Sequence, residues 1–114
     1  MLLWVQTLSI TKSNNIRING LLSLNSQMYH IVINRCQDVL VEGAKIIAAG
    51  DSPNTDGIHV QQSRNVIIKS SSIKTGDDCI SIGPGTNNLW IERVTCGPGH
   101  GIRLVLQDTF TLLF

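Results

Sequence analysis

Short apolar runs, most of them alternating with polar residues, recur along the chain: Ile16-Arg17-Ile18, Val39-Leu40-Val41, Ile58-His59-Val60, Val66-Ile67-Ile68, Ile80-Ser81-Ile82, Leu89-Trp90-Ile91 and Ile102-Arg103-Leu104. A period of two with many β-branched residues predicts strands, and no i, i+3, i+4, i+7 stripe persists long enough to predict a helix. Turn formers separate the runs, among them Ser13-Asn14-Asn15, Asn25-Ser26, Gly50-Asp51-Ser52-Pro53-Asn54 and Gly83-Pro84-Gly85-Thr86-Asn87-Asn88. The pattern predicts an all-β chain of very short strands.

The runs also repeat. Leu8, Ile31, Ile58, Ile80 and Ile102 are spaced by 23, 27, 22 and 22 residues, and Ile10, Ile33, Val60, Ile82 and Leu104 keep the same steps. A second set, Ile16, Val39, Val66 and Leu89, is spaced by 23, 27 and 23, in step with Ile18, Val41, Ile68 and Ile91. A third apolar position, Ile46, Ile73 and Val94, follows at intervals of 27 and 21. Two or three strands per repeat, without helices, predict a parallel β-helix (a solenoid) of about five incomplete coils stacked at roughly 4.8 Å. A sandwich would need hairpin turns and longer strands. Asn14, Asn15, Asn87 and Asn88 fall at the coil corners, where amides can satisfy backbone groups.

Composition narrows the functions open to such a fold. The chain has 114 residues, enough for one compact domain or a piece of a larger one. Its net charge is +1 with no basic run, so the footprint of a nucleic-acid binder is missing. No stretch of 18 apolar residues marks a membrane span, and Met1 to Ile10 lacks the basic start and cleavage site of a secretion signal. Cys36, Cys79 and Cys96 lack zinc-ligand spacing, leaving one disulfide and a buried thiol, or no disulfide.

The repeat places polar residues as well as apolar ones. Two positions before the first strand of successive coils stand Asp56, Asp78 and His100, at intervals of 22, with Asp77 beside Asp78. Stacked coils would gather three carboxylates and an imidazole on one face within roughly 10 Å. Crowded carboxylates raise the pKa of one of them, giving an acid beside a base, which is what glycoside hydrolysis uses. The blander readings are turn residues, as Asp56-Gly57 suggests, or a calcium site. Gly83-Pro84-Gly85 makes a poor phosphate cradle, since neither a helix pattern nor a Lys follows it.

Three ordered segments carry a resemblance: Asn54-Thr55-Asp56-Gly57, Thr75-Gly76-Asp77-Asp78-Cys79-Ile80-Ser81-Ile82 and Cys96-Gly97-Pro98-Gly99-His100-Gly101-Ile102. They resemble three of the four signature blocks of the polygalacturonases, the family 28 glycoside hydrolases that cut pectin, in their plant branch. Asn25-Ser26 followed by His30-Ile31 resembles the block before the first aspartate. The resemblance implies a right-handed parallel β-helix, usually monomeric and secreted to the cell wall. It implies an inverting hydrolysis of the α-1,4-galacturonosyl bonds of polygalacturonate that needs no metal or other cofactor. Asp77 would be the general acid, Asp56 and Asp78 would hold and deprotonate the attacking water, and His100 would tune or orient the acid. Cys79 and Cys96 would form a disulfide, with Cys36 a core thiol.

The fourth block, an Arg-x-Lys that grips the substrate carboxylate, does not occur in these residues. After Ile102 the chain runs Arg103-Leu104-Val105-Leu106, unlike the family. The expected organisation is a partial pectinase-type helix over 1–102 and a divergent tail over 103–114, a central slice with little activity alone. A non-catalytic carbohydrate-binding solenoid or pseudoenzyme is the alternative, and a rhamnogalacturonan hydrolase a third, less suited to the Gly-His-Gly segment.

Overall fold

A computed structural model describes residues 7–24, 29–48, 56–76, 78–97 and 101, together with the backbone paths of 3–5, 102–104 and 112–113. Its strands, in chain order, are β1 (Leu3–Val5), β2 (Leu8–Thr11), β3 (Asn14–Asn19), β4 (Leu21–Leu24), β5 (Tyr29–Asn34), β6 (Gln37–Glu42) and β7 (Lys45–Ile47). There follow β8 (Asp56–Gln61), β9 (Arg64–Lys74), β10 (Ile80–Ile82), β11 (Asn87–Cys96), β12 (Ile102–Leu104) and β13 (Leu112–Leu113).

All described pairings are parallel. One sheet stacks β2, β5, β8, β10 and β12 as five rungs, and the other gathers the remaining eight strands. Each strand reaches its neighbour in one sheet by way of the other, a crossover that is right-handed as a rule. The chain is thus a parallel β-solenoid, consistent with the right-handed β-helix that the resemblance implies.

The register follows the sequence period. Leu8 pairs with Ile31, Ile31 with Ile58, Ile58 with Ile80 and Ile80 with Ile102. Ile16, Val39, Val66 and Leu89 form the matching row of the larger sheet. Inward positions are sealed: Ile31, Ile58, Ile80, Val66 and Ile68 are fully buried. Burial of each such side chain is worth about 1.5–3 kcal/mol, which makes these rows the source of the coil's stability.

The third row differs from expectation. Ile46 pairs with Ile73, but Ile73 pairs with Cys96, while Val94 pairs with Ser71. Val94 packs against the core without continuing the row, and the true step is again 23 residues. Within 103–114, Arg103 and Leu104 pair with Ser81 and Ile82, and Leu112 and Leu113 with Leu89 and Trp90.

The corners are columns of left-handed backbone. Lys12, Arg35, Gln62 and Gly85 have positive φ, as do Asn15, Asp38, Asn65 and Asn88, and then Gly20, Gly43, Ser70 and Arg93. The last column bends the larger sheet, cutting the β3–β4 and β6–β7 segments where β9 and β11 run through. Asparagine tolerates this conformation best among residues with a side chain. In the middle column the side chains form a ladder: Asn88 Nδ2 donates to Asn65 Oδ1, and Asn65 Nδ2 to the Asp38 carboxylate Oδ1, both at 3.1 Å. Behind them a hydroxyl or thiol donates to the carbonyl two residues back, at Ser13, Cys36 and Ser63. Cys36 is buried and takes a serine's place in that column.

Candidate active site

The parallel register that pairs Ile58 with Ile80 necessarily stacks Asp56 against Asp78, since each stands two residues earlier. Asp56 opens β8 and is half-buried; Asp78, just before β10, is 5% exposed. They are joined: the backbone N–H of Asp78 donates to Asp56 Oδ1 at 3.1 Å, and the Gly57 N–H donates to the Asp78 carbonyl at 2.9 Å. The first bond fixes the Asp56 carboxylate against the neighbouring coil.

Gly57 makes this approach possible. A Cβ there would run into the Cys79 carbonyl oxygen and lie 2.6 Å from Ile73 Cγ2. Only a residue without a side chain lets the two coils close at this point. The next coil is tied on by the Cys79 N–H, which donates to the Gly101 carbonyl at 2.7 Å. Cys79 and Cys96 form a disulfide with Cα atoms 6.0 Å apart. Asp77 and His100, the other two residues singled out by the sequence, lie outside the described residues.

Two histidines that the period does not single out complete the surroundings. His30, fully buried, donates Nδ1–H to the Asp56 carbonyl at 3.2 Å, supporting the strand start from the coil before. Burial pushes its pKa below the ordinary value, while the carbonyls of Asp56 and Ile47 pull it up more weakly. His59 stands on the outer face of β8. Its Nε2 meets Gln61 Oε1 at 3.1 Å, so this nitrogen carries the proton, and its Nδ1 accepts from Ser81 Oγ at 2.8 Å. The Tyr29 ring lies 5.0 Å away, centroid to centroid. The 22-residue step from His59 to Ser81 was the available sequence signal; His30 carried none apart from its place in the resemblance.

Two aspartates thus stand on adjacent coils, the carboxylate of Asp56 held by the backbone N–H of Asp78. A family model, glycosyl hydrolases family 28, matches residues 5–104. The chain is 63% identical over 98 residues to a polygalacturonase of Prunus persica, covering 86% of this chain and 25% of that protein. It is 50% identical over 91 residues to an exopolygalacturonase of Zea mays, covering 80% and 22%. It is 51% identical over 90 residues to a polygalacturonase of Gossypium barbadense, covering 79% and 22%. The chain therefore spans about a quarter of the length of these relatives. With nearly all of its coils matched in order, it belongs to the glycosyl hydrolases of family 28.

Proposed function

We propose that these coils carry the acid–base centre of a polygalacturonase, which hydrolyses α-1,4-galacturonosyl bonds of pectin outside the cell or in its wall. The observation that carries the reading is the Asp78 N–H to Asp56 carboxylate bond, which joins two of the motif's aspartates across one coil step. In this reading Asp77 gives its proton to the glycosidic oxygen as the C–O bond breaks. Asp56 and Asp78 orient a water and take its proton as its oxygen attacks the anomeric carbon from the opposite face. His100 orients Asp77. One proton leaves the acid and one reaches the base, so the centre is reset by exchange with solvent.

The test is release of reducing ends from polygalacturonate. In an enzyme carrying these coils together with the Arg-x-Lys block, Asp77→Asn is expected to lower turnover by about 10²–10⁴-fold with the substrate still bound. Turnover near the unmodified level would move the acid role elsewhere. The 114 residues alone are expected to hydrolyse slowly, because misplacing the sugar by about 1 Å costs ~10²-fold and the cationic grip is not among them.

A further inference from the structure

At the corner where the five-rung sheet passes into the larger one, a groove of about 260 Å³ is floored by Cys36 and Ser63 and walled by Arg35, Gln37, Gln62 and Arg64. The floor is closed to ligands. Cys36 N–H donates to Ser63 Oγ, Ser63 Oγ donates to the Gln61 carbonyl, and the Cys36 thiol donates to the carbonyls of Ile10 and Asn34. The walls are different. Arg35 Nε donates to Gln62 Oε1 at 2.9 Å, and Arg64 Nη2 donates to Gln37 Oε1 at 2.8 Å. The two pairs cross between the same two coils in opposite directions, so each glutamine steadies a guanidinium without neutralising it.

Each arginine uses one of its five donors in this way. No carboxylate meets either guanidinium among the described residues, whose ion pairs are Lys69–Glu42 and Arg93–Glu92. Lys12 adds a third positive charge, one coil back in the column of Arg35. The nearest acid along the chain, Asp38, is engaged by Asn65. Two steadied, exposed forks one coil apart match a planar carboxylate better than a point cation would.

We propose that this groove binds a carboxylate of an acidic polysaccharide, a uronate ring outside the catalytic column. The inference rests on the polygalacturonate reading above. From Asp56 to Ser63 the chain advances roughly 20 Å along the strand direction, so the groove lies at the opposite edge of the sheet from the aspartates. A ring held there cannot be the one being cleaved. It supplies a second hold, which raises retention on a polymer without changing the chemical step.

The experiment is electrophoresis of the chain through gels containing polygalacturonate or its fully methyl-esterified form, with hydrolysis assayed in parallel. Arg35→Gln/Arg64→Gln is expected to weaken retardation at least tenfold. Lys45→Gln/Lys74→Gln, which removes the same net charge from exposed positions elsewhere, should change it less than twofold. All four side chains are exposed, so thermal midpoints should match. Equal weakening by both pairs, or unchanged retardation in the arginine variant, overturns the proposal. So does equal retardation of the unmodified chain by the esterified polymer. Arginine-dependent retardation by a chain that hydrolyses nothing upholds the groove and counts only against the catalytic reading.

Discussion

His30 illustrates how one buried ring couples the site to pH. Its imidazole is fully buried and holds the Asp56 carbonyl, and burial keeps its pKa below the ordinary value of about 6.5. The folded chain therefore keeps it neutral while the unfolded chain protonates as pH falls through that value. Its contribution to stability is full above about pH 6.5 and is lost as pH falls toward the folded pKa. The melting temperature should drop between pH 7 and pH 5.5, and His30→Gln should flatten that slope; an unchanged slope would place the titrating group elsewhere. Sequence reading reached Asp56 and Asp78 because a 22-residue step survives stacking unchanged. It reached His30 only through the resemblance, because a histidine beside an apolar run looks like any core residue until its hydrogen-bond partner is known.

At the scale of the strand and its corner, the amide ladder from Asn88 through Asn65 to Asp38 performs two tasks at once. It links three coils, and it occupies a column in which every residue has a left-handed backbone. Asn65→Ala should lose both amide bonds and add the left-handed strain of about 1–2 kcal/mol. Asn65→Gly should lose the bonds but avoid that strain. Alanine should therefore be the less stable of the two by about 1 kcal/mol in denaturant unfolding, and the reverse order would mean the corner imposes no backbone strain. The strands themselves were legible, since inward apolar residues, mostly Ile and Val, recur at every second position through the rungs and alternate with polar residues in most of them. The corners were legible at Asn15 and Asn88 but not at Lys12, Arg35, Gln62 and Arg93, ordinary residues forced into left-handed conformation by the coil path. The misphased Val94 has another origin. β11 keeps its 23-residue step to β9 straight through the bend, so Val94 faces Ser71 and the place in Ile73's row falls to Cys96, a residue that apolar spacing does not pick out.

For the molecule as a whole, the parallel ladders join coil to coil, while the Cys79–Cys96 bridge joins the two ends of a single coil across 17 positions. Closing a loop of that size is worth about 3 kcal/mol in the chain-entropy model. Cys79→Ala/Cys96→Ala should lower unfolding free energy by about that amount, and reductant should destabilise the unmodified chain but not the variant. The bridge has a mechanical side too. Hydrogen bonds of stacked parallel strands lie along the solenoid axis, so a load along that axis peels them row by row, whereas a load along the strands must shear a whole row together. Once peeled, an ordinary coil pays out its full contour. The coil that follows Asp78 does not: its covalent hoop withholds 17 residues, roughly 60 Å of extension, and the stretch from Cys79 to Cys96 stays closed under tension that has already straightened its neighbours.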